Sequence, residues 1–161
     1  DFLVNNVDLI SELKKSGLDE VIVGFESPDA ETLLDYNKEQ NSNIYKNVVE
    51  ILNRENIELT ALFIVDPEYR IKDFLRLFKY IKNLKIKIYT LSIMTPLKGT
   101  PDYDKKKHLL TKKDPRKFDF LHLVLPSKIP KPLFYGLFYL GHLRLLKSKR
   151  IWKMIRGMYE K

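Results

Sequence analysis

The sequence predicts an α/β fold, a partial (β/α) barrel of parallel strands followed by a helical C-terminal extension. Two observations predict this class. Short β-branched and aromatic runs of strand length recur along the chain, and each ends in polar or turn-forming residues. Stretches with the apolar spacing of a helix separate successive runs, which is typical of parallel βαβ units with right-handed crossovers. A closed barrel needs about eight strands, so we expect a partial one.

The stretch Val21–Ser27 is the centre of this prediction. Its apolar part is long enough for one buried strand, and Gly24 interrupts it before Glu26 and Ser27. Pro28 cannot donate to a strand ladder, so the strand ends here. Glu26 and Ser27 therefore stand at the carboxyl end of a parallel strand, where α/β proteins bind ligands. From the pattern alone, Glu26 is either a ligand-contacting acid or a solvated loop acid.

The other elements follow in order from local signals. The expected helices run from Asn5 or Asn6 to Ser16, closed by Gly17; over a short stretch from Asp29 to Leu34; from the cap at Asn41–Asn43 to about Asn56; and along a face of Ile71, Phe74, Leu75, Phe78 and Ile81 to Asn83. The expected strands are the tail of one at Asp1–Val4, then Val21–Phe25, Ile57–Val65 and Ile86–Met94.

Parallel strands bring their carboxyl ends to one edge of the sheet. We therefore expect a single rim that gathers the polar residues following each strand. These are Glu26, Ser27, Asp66, Glu68, Thr95 and Lys98.

Charge divides the chain into two predicted regions, 1–104 and 105–161. The second region holds 16 Lys and Arg against 3 Asp and Glu, which leaves 13 basic and 18 acidic residues in the first. In the second region we expect a solvated basic connector at Lys105–Lys117. Phe118–Leu125 should cover a barrel mouth or sheet edge, and helices are expected at Leu133–Leu146 and Arg150–Tyr159. Such a basic extension suits acidic lipid or nucleic acid, or it docks on its own protein.

Cysteine is absent from the sequence. This excludes disulfides and thiolate metal sites, and it fits a reducing compartment such as the cytoplasm. The three histidines are scattered without metal-ligand spacing. Asp102 and Asp104 are expected to be solvated loop residues. No apolar run reaches the length of a membrane span.

Several stretches resemble radical S-adenosylmethionine (SAM) enzymes, especially the cobalamin-domain class. Gly17–Ser27 is similar to the fourth barrel strand of that class, which ends in GFES or GIES. Asp1–Val4 resembles the third strand. Ala61–Glu68 is similar to the fifth, usually FIVGFPGET, and Leu91–Tyr103 to the sixth and its TPYPGTPLY loop. The match runs from Asp1 to about Leu125.

The resemblance implies a SAM site at these strand ends. Glu26 and Ser27 would contact the polar part of SAM, because a carboxylate accepts hydrogen bonds from the methionyl ammonium or the ribose hydroxyls. Gly24 would allow close approach of the backbone, and Ile64 would lie beside the adenine. The implied cofactor-binding residues are Gly24, Glu26, Ser27, Ile64, Thr95 and Pro96.

The sequence also departs from the family pattern. The family binds a 4Fe-4S cluster through a CxxxCxxC loop, and this chain has no Cys to replace it. Asp66 stands where Gly is usual in the fifth strand's loop. The resemblance therefore implies the C-terminal portion of a longer enzyme, not competent alone. The missing N-terminal half would supply the cluster and the cobalamin site, if cobalamin is used. The expected partners are that half, a small-molecule substrate and a membrane surface at the basic helices, but no specific nucleic acid.

Overall fold

The computed structural model describes residues 2–26 and 42–145. Two helices come first, and strands and helices then alternate as far as the third strand. In chain order they are α1 (Phe2–Asn5), α2 (Val7–Lys15), β1 (Glu20–Glu26), α3 (Ser42–Arg54), β2 (Glu58–Val65), α4 (Ile71–Asn83), β3 (Ile88–Ile93), α5 (Pro101–Lys106) and α6 (Lys131–Leu145). Single 3-10 turns occur at Lys107–Leu109 and Pro115–Lys117.

The three strands form one parallel sheet in the order β1-β2-β3. Val23 pairs with Ala61, and Phe63 pairs with Leu91. This confirms the predicted α/β class and the parallel direction of all three strands. The register shifts between Gly24 and Glu26, which places an irregularity at the carboxyl end of β1. Bulges of this kind are common beside functional sites, because they redirect the chain.

The hydrophobic core lies on one face of this sheet, under α3, α4 and α6. Phe25 of β1 stacks on Tyr45 of α3 with ring centroids 4.4 Å apart. Phe74 of α4 meets Phe134 of α6 edge to face at 5.2 Å. Strand residues that point to this side are fully buried, as Phe63 is. The alternation of strand side chains leaves the other face of the sheet open.

Residues on the open face are aliphatic but exposed. Ile22 of β1 is 67% exposed, and Leu62 of β2 is 36% exposed. Thr60 also lies on this face and donates a hydrogen bond to Glu20 across the strand pair, at 2.6 Å. An apolar face of this kind fits a partial barrel, and the barrel itself stays a prediction.

Three helices, α2, α3 and α4, keep their predicted bounds to within a few residues. Helix α2 is followed by Gly17, whose φ of +105° suits glycine and ends the helix as expected. Helix α4 ends at Asn83. Its predicted buried face was partly wrong, because Leu77 is buried whereas Leu75 is 55% exposed. Tertiary packing rotates the helix relative to the expected stripe.

The predicted strand at Asp1–Val4 was wrong where the structure describes it. Phe2–Asn5 forms the short helix α1 instead. Leu3 and Val4 pack against the cluster around Ile10 and Leu52. A strand needs a neighbour to satisfy its backbone groups, whereas a helical turn satisfies them locally. The described sheet places no strand beside these residues, so the helical form results.

The segment after β3 covers the sheet edge. The backbone N–H of Ile93 donates to the Phe120 carbonyl at 2.6 Å, and Leu123 and Val124 are buried. This confirms that Phe118–Leu125 covers a sheet edge. Helix α6 confirms the predicted helix at Leu133–Leu146 over its described part.

The predicted division at residue 104 stays a prediction, although α5 runs across it. The predicted helices at Asp29–Leu34 and Arg150–Tyr159 lie outside the described residues. Within the described ranges, the structure contains no helix that is long and apolar enough to cross a membrane.

Candidate functional site

A cleft opens at the carboxyl ends of β2 and β3. Its volume is about 690 Å³. One wall comes from the open face of the sheet, where Leu62 and Ile64 alternate with buried residues of β2. The loop after β3 and helix α5 form the opposite wall. Apolar lining with a few polar groups is typical of small-molecule sites.

Three of the six sequence-predicted site residues line this cleft together. They are Ile64, Thr95 and Pro96. Ile64 pairs in register with Ser92, which also lines the cleft. Thr95 is 7% exposed, and its hydroxyl donates to the Ile93 carbonyl at 2.9 Å, which fixes its rotamer. The turn after β3 therefore presents a rigid wall.

The other three predicted residues belong to the end of β1. Gly24 pairs in register with Leu62, a residue of the cleft wall. The backbone of Glu26 pairs with Phe63 at the last position of β1, beyond the register shift. Ser27 lies outside the described residues. The end of β1 is thus adjacent to β2 in the sheet, and the roles of Gly24, Glu26 and Ser27 stay predictions.

Charged side chains line the side of the cleft next to α5. Lys106 and Asp102, four residues apart on α5, form an ion pair with Nζ 3.0 Å from Oδ1. The Lys106 Nζ also lies 3.9 Å from the Met94 sulfur. The sequence prediction of a loop at Asp102 was wrong, because this residue lies on a helix and lines the cleft, although its side chain is 46% exposed. Asp104 lies on the same helix and is exposed as expected.

A helix signal was present in the sequence at this point. Thr100 followed by Pro101 is a typical N-cap and first-turn pair. In the structure, the Thr100 hydroxyl accepts a hydrogen bond from the Tyr103 N–H at 3.2 Å. This cap starts α5 and turns Asp102 toward the cleft.

Asp66 lies directly after β2, on the predicted rim, and lines the cleft. Its Oδ1 accepts a hydrogen bond from the Glu68 N–H at 2.7 Å. Burial raises the pKa of Asp66 above its ordinary value, and the Glu68 hydrogen bond and the charge of Lys106 oppose that rise only in part. A carboxyl group with a raised pKa in a cleft is a frequent mark of functional sites.

Phe120 is a cleft residue that sequence reasoning did not single out. It lines the cleft and is 43% exposed. Its φ of +63° is unusual for a bulky side chain. The Asp119 carboxylate holds this turn by accepting the N–H groups of Leu121 and His122 at 3.0 and 3.1 Å. Together with the bond from Ile93, these contacts hold the aromatic ring at the cleft wall.

The described residues do not fit an iron–sulfur cluster. Such a cluster needs thiolates, and the sequence has no Cys. No group of three or more His, Asp or Glu in the described ranges is arranged to hold a metal ion. Two of the three histidines have other contacts: His122 pairs with Asp119 at 2.8 Å, and His142 lies 3.1 Å from the Phe138 carbonyl. The mostly apolar cleft with a few charged groups has the character of a site for a small molecule.

The chain is similar to enzymes that transfer methyl groups and to a cyclase. It is 29% identical over 136 residues to the hopanoid C-3 methylase of Methylococcus capsulatus, a match covering 84% of this chain and 26% of the relative. It is 28% identical over 131 residues to the bacteriochlorophyllide d C-8(2)-methyltransferase of Chlorobaculum tepidum, covering 78% and 29%.

A further relative is the anaerobic magnesium-protoporphyrin IX monomethyl ester cyclase of Synechocystis sp.. It is 22% identical over 171 residues, covering 99% of this chain and 34% of the relative. No family model matches the chain. The chain spans about a quarter to a third of the length of these relatives. It resembles part of such an enzyme.

Proposed function

We propose that this chain is the C-terminal portion of a radical SAM enzyme, and that it helps to bind SAM and a small-molecule substrate. The observation that carries this proposal is the cleft. Ile64 lies near the end of β2, Thr95 and Pro96 follow β3, and all three line the cleft. The motif resemblance named these residues from the sequence, and the similarity to two methyltransferases and a cyclase supports the same class.

In this proposal the chain binds and orients SAM. Ile64 packs against the adenine, while Thr95 and Pro96 limit the cleft on the other side. Glu26 and Ser27 accept or donate hydrogen bonds at the methionyl and ribose groups. Gly24 leaves space for close approach of the ligand to the backbone.

The rest of the enzyme supplies what this chain lacks. A 4Fe-4S cluster bound by a CxxxCxxC loop in another segment would supply the electron that cleaves SAM. Cobalamin would be held there as well if the reaction is a methyl transfer of that class. The reaction is a methyl transfer or a cyclisation, as in the relatives, and a cytoplasmic location suits the oxygen-sensitive cluster. The names of the relatives suggest a large, mainly apolar ring system as substrate.

The test uses the full-length gene product, purified without oxygen. We expect a CxxxCxxC motif upstream of Asp1. We expect Ile64→Ala to weaken SAM binding about tenfold, because a partly exposed side chain of this size that the bound ligand covers contributes about 1.5 kcal/mol. Equilibrium binding of radiolabelled SAM measures the effect.

The matched control is Leu75→Ala, which truncates an exposed aliphatic residue on α4. It should leave SAM binding unchanged. Thermal unfolding of both variants separates a local effect on the cleft from loss of the fold. Equal SAM affinity in Ile64→Ala and the parent would contradict the proposed site, and absence of a cluster motif would contradict the proposed class.

A further inference from the structure

Helix α6 is apolar on two sides. One side packs into the core, where Phe134 and Phe138 are fully buried. The other side also carries large apolar residues, which share about a third of the helix circumference at 100° per residue. This outer α6 face consists of Leu133 (40% exposed), Tyr139 (53%), Leu140 (44%) and Leu143 (57%). A helix that is apolar all round is normally covered on both sides.

The sequence around the outer α6 face has a strong charge bias. Residues 120–159 contain no Asp or Glu. Eight basic residues lie in the same stretch: Lys128, Lys131, Arg144, Lys147, Lys149, Arg150, Lys153 and Arg156. Two of them, Lys131 and Arg144, lie at opposite ends of α6. The Arg144 guanidinium lies 4.4 Å from the Phe78 ring centroid, beside the exposed leucines of the same helix.

The position of α6 restricts what can cover its outer face. The helix packs on β3 and α4, on the face of the sheet opposite the cleft. Further strands of the proposed barrel would join the β1 edge and cover the open inner face of the sheet. These strands would lie on the other side of the sheet from the outer α6 face. An occupant of that face has to match apolar side chains that are flanked in the sequence by Lys131 and Arg144.

We propose that the outer α6 face docks on an anionic bilayer surface. Its apolar side chains would enter the boundary between head groups and acyl chains, and the basic residues would contact lipid phosphates. A lipid surface supplies apolar contact and negative charge together. Helix α6 would lie in the plane of the interface, because its other side is packed on β3 and α4. This inference does not depend on the proposed SAM site.

The experiment is co-sedimentation of the full-length gene product, purified without oxygen, with lipid vesicles. We expect binding to vesicles of equimolar phosphatidylglycerol and phosphatidylcholine, weak binding to phosphatidylcholine alone, and weakening by salt. The double variant Leu140→Glu and Leu143→Glu should bind the anionic vesicles at least about tenfold more weakly, because two apolar side chains no longer enter the interface. The matched control is Leu75→Glu, at an exposed position of α4, and it should bind like the parent.

A second readout locates the contact without relying on a charged variant. This chain has no Cys, so Leu143→Cys or Leu75→Cys introduces one thiol within it for a polarity-sensitive fluorophore. The parent protein, labelled in the same way, gives the background from cysteines elsewhere. On anionic vesicles, the fluorophore at residue 143 should report an apolar environment, and the one at residue 75 should stay in water.

Four outcomes would overturn the proposal. They are failure to bind anionic vesicles, binding with the residue-143 fluorophore still in water, full competition by a duplex oligonucleotide, and a dimer in sedimentation velocity that Leu143→Glu dissociates. The second would assign the contact to the basic residues alone, the third to nucleic acid and the fourth to a second copy of the chain.

Discussion

Asp66 is a partly buried carboxyl group of the cleft that makes the free energy of unfolding depend on pH. Its pKa rises from an ordinary value of 3.8 because the folded chain buries it. Between pH 3.8 and the higher pKa of Asp66 in the folded chain, the folded chain keeps a proton that the unfolded chain has lost. The free energy of unfolding therefore falls as pH rises through that range, and the loss persists at neutral pH.

Asp66→Asn should remove this dependence. The amide oxygen can still accept the hydrogen bond from the Glu68 N–H, whereas the group no longer ionises. We expect the variant to gain stability relative to the parent as pH rises from acidic to neutral values. Urea unfolding at a series of pH values measures the gain. Asp104→Asn, at an exposed aspartate paired with Lys107, should show no gain of this sign. A stability difference that is constant across pH would contradict the buried state of Asp66.

At the scale of single elements, α6 contains two glycines in opposite environments. A Cβ added to Gly141 would lie 2.9 Å from Phe78 Cε1 and closer still to Leu91 Cδ1, and both of these residues are buried. The Gly141 carbonyl also accepts a hydrogen bond from the buried Tyr89 hydroxyl at 2.6 Å. A Cβ at Gly136 would have no heavy atom within 4 Å. Gly141 is thus a point of close approach between α6 and β3.

The two positions predict opposite effects of the same substitution. Gly136→Ala should raise the free energy of unfolding by up to about 1 kcal/mol, because alanine favours the helix. Gly141→Ala should lower it, since overpacking costs about 1–3 kcal/mol and the helix gain offsets only part. Urea unfolding monitored by circular dichroism measures both. Stabilisation by both substitutions would show that α6 does not pack closely on β3.

At the scale of the molecule, the sheet is covered on one face and open on the other. Ile22 and Leu62 lie exposed on the open face, and β1 forms the sheet edge that α6 does not approach. Open edges and apolar strands favour pairing with another chain. In the proposed enzyme, the remaining barrel strands would cover this face.

The isolated chain should therefore self-associate or show marginal stability. Sedimentation velocity over a range of concentrations measures the association. Ile22→Lys places a charge on the open face and should shift the chain toward monomer. Leu75→Lys, on the outer side of α4, is the matched control and should leave the association unchanged. A monomer with one cooperative unfolding transition at every concentration would argue against an open barrel face.

Local patterns in the sequence determined the order of elements and the location of the site. Apolar runs and helical spacing are properties of neighbouring residues, so β1, β2, β3, α2 and α4 were predicted close to their observed bounds. The parallel direction followed from the helices between the strands. Parallel strands share one carboxyl edge, which is why Asp66 and Thr95 could be placed together before the structure was known. Ile64 and Pro96 were named by the family resemblance instead.

Only the tertiary structure decided which distant segments meet. It brought Phe120 and Asp102 to the cleft wall, buried Leu77 in place of Leu75, and made Phe2–Asn5 helical where no strand lies beside it. It also showed that α6 has an exposed apolar face besides its buried one. These outcomes depend on the path of the whole chain, because burial is set by contacts between segments far apart in sequence. Periodicity gives the type of an element, but contact with its neighbours selects which of its faces is covered.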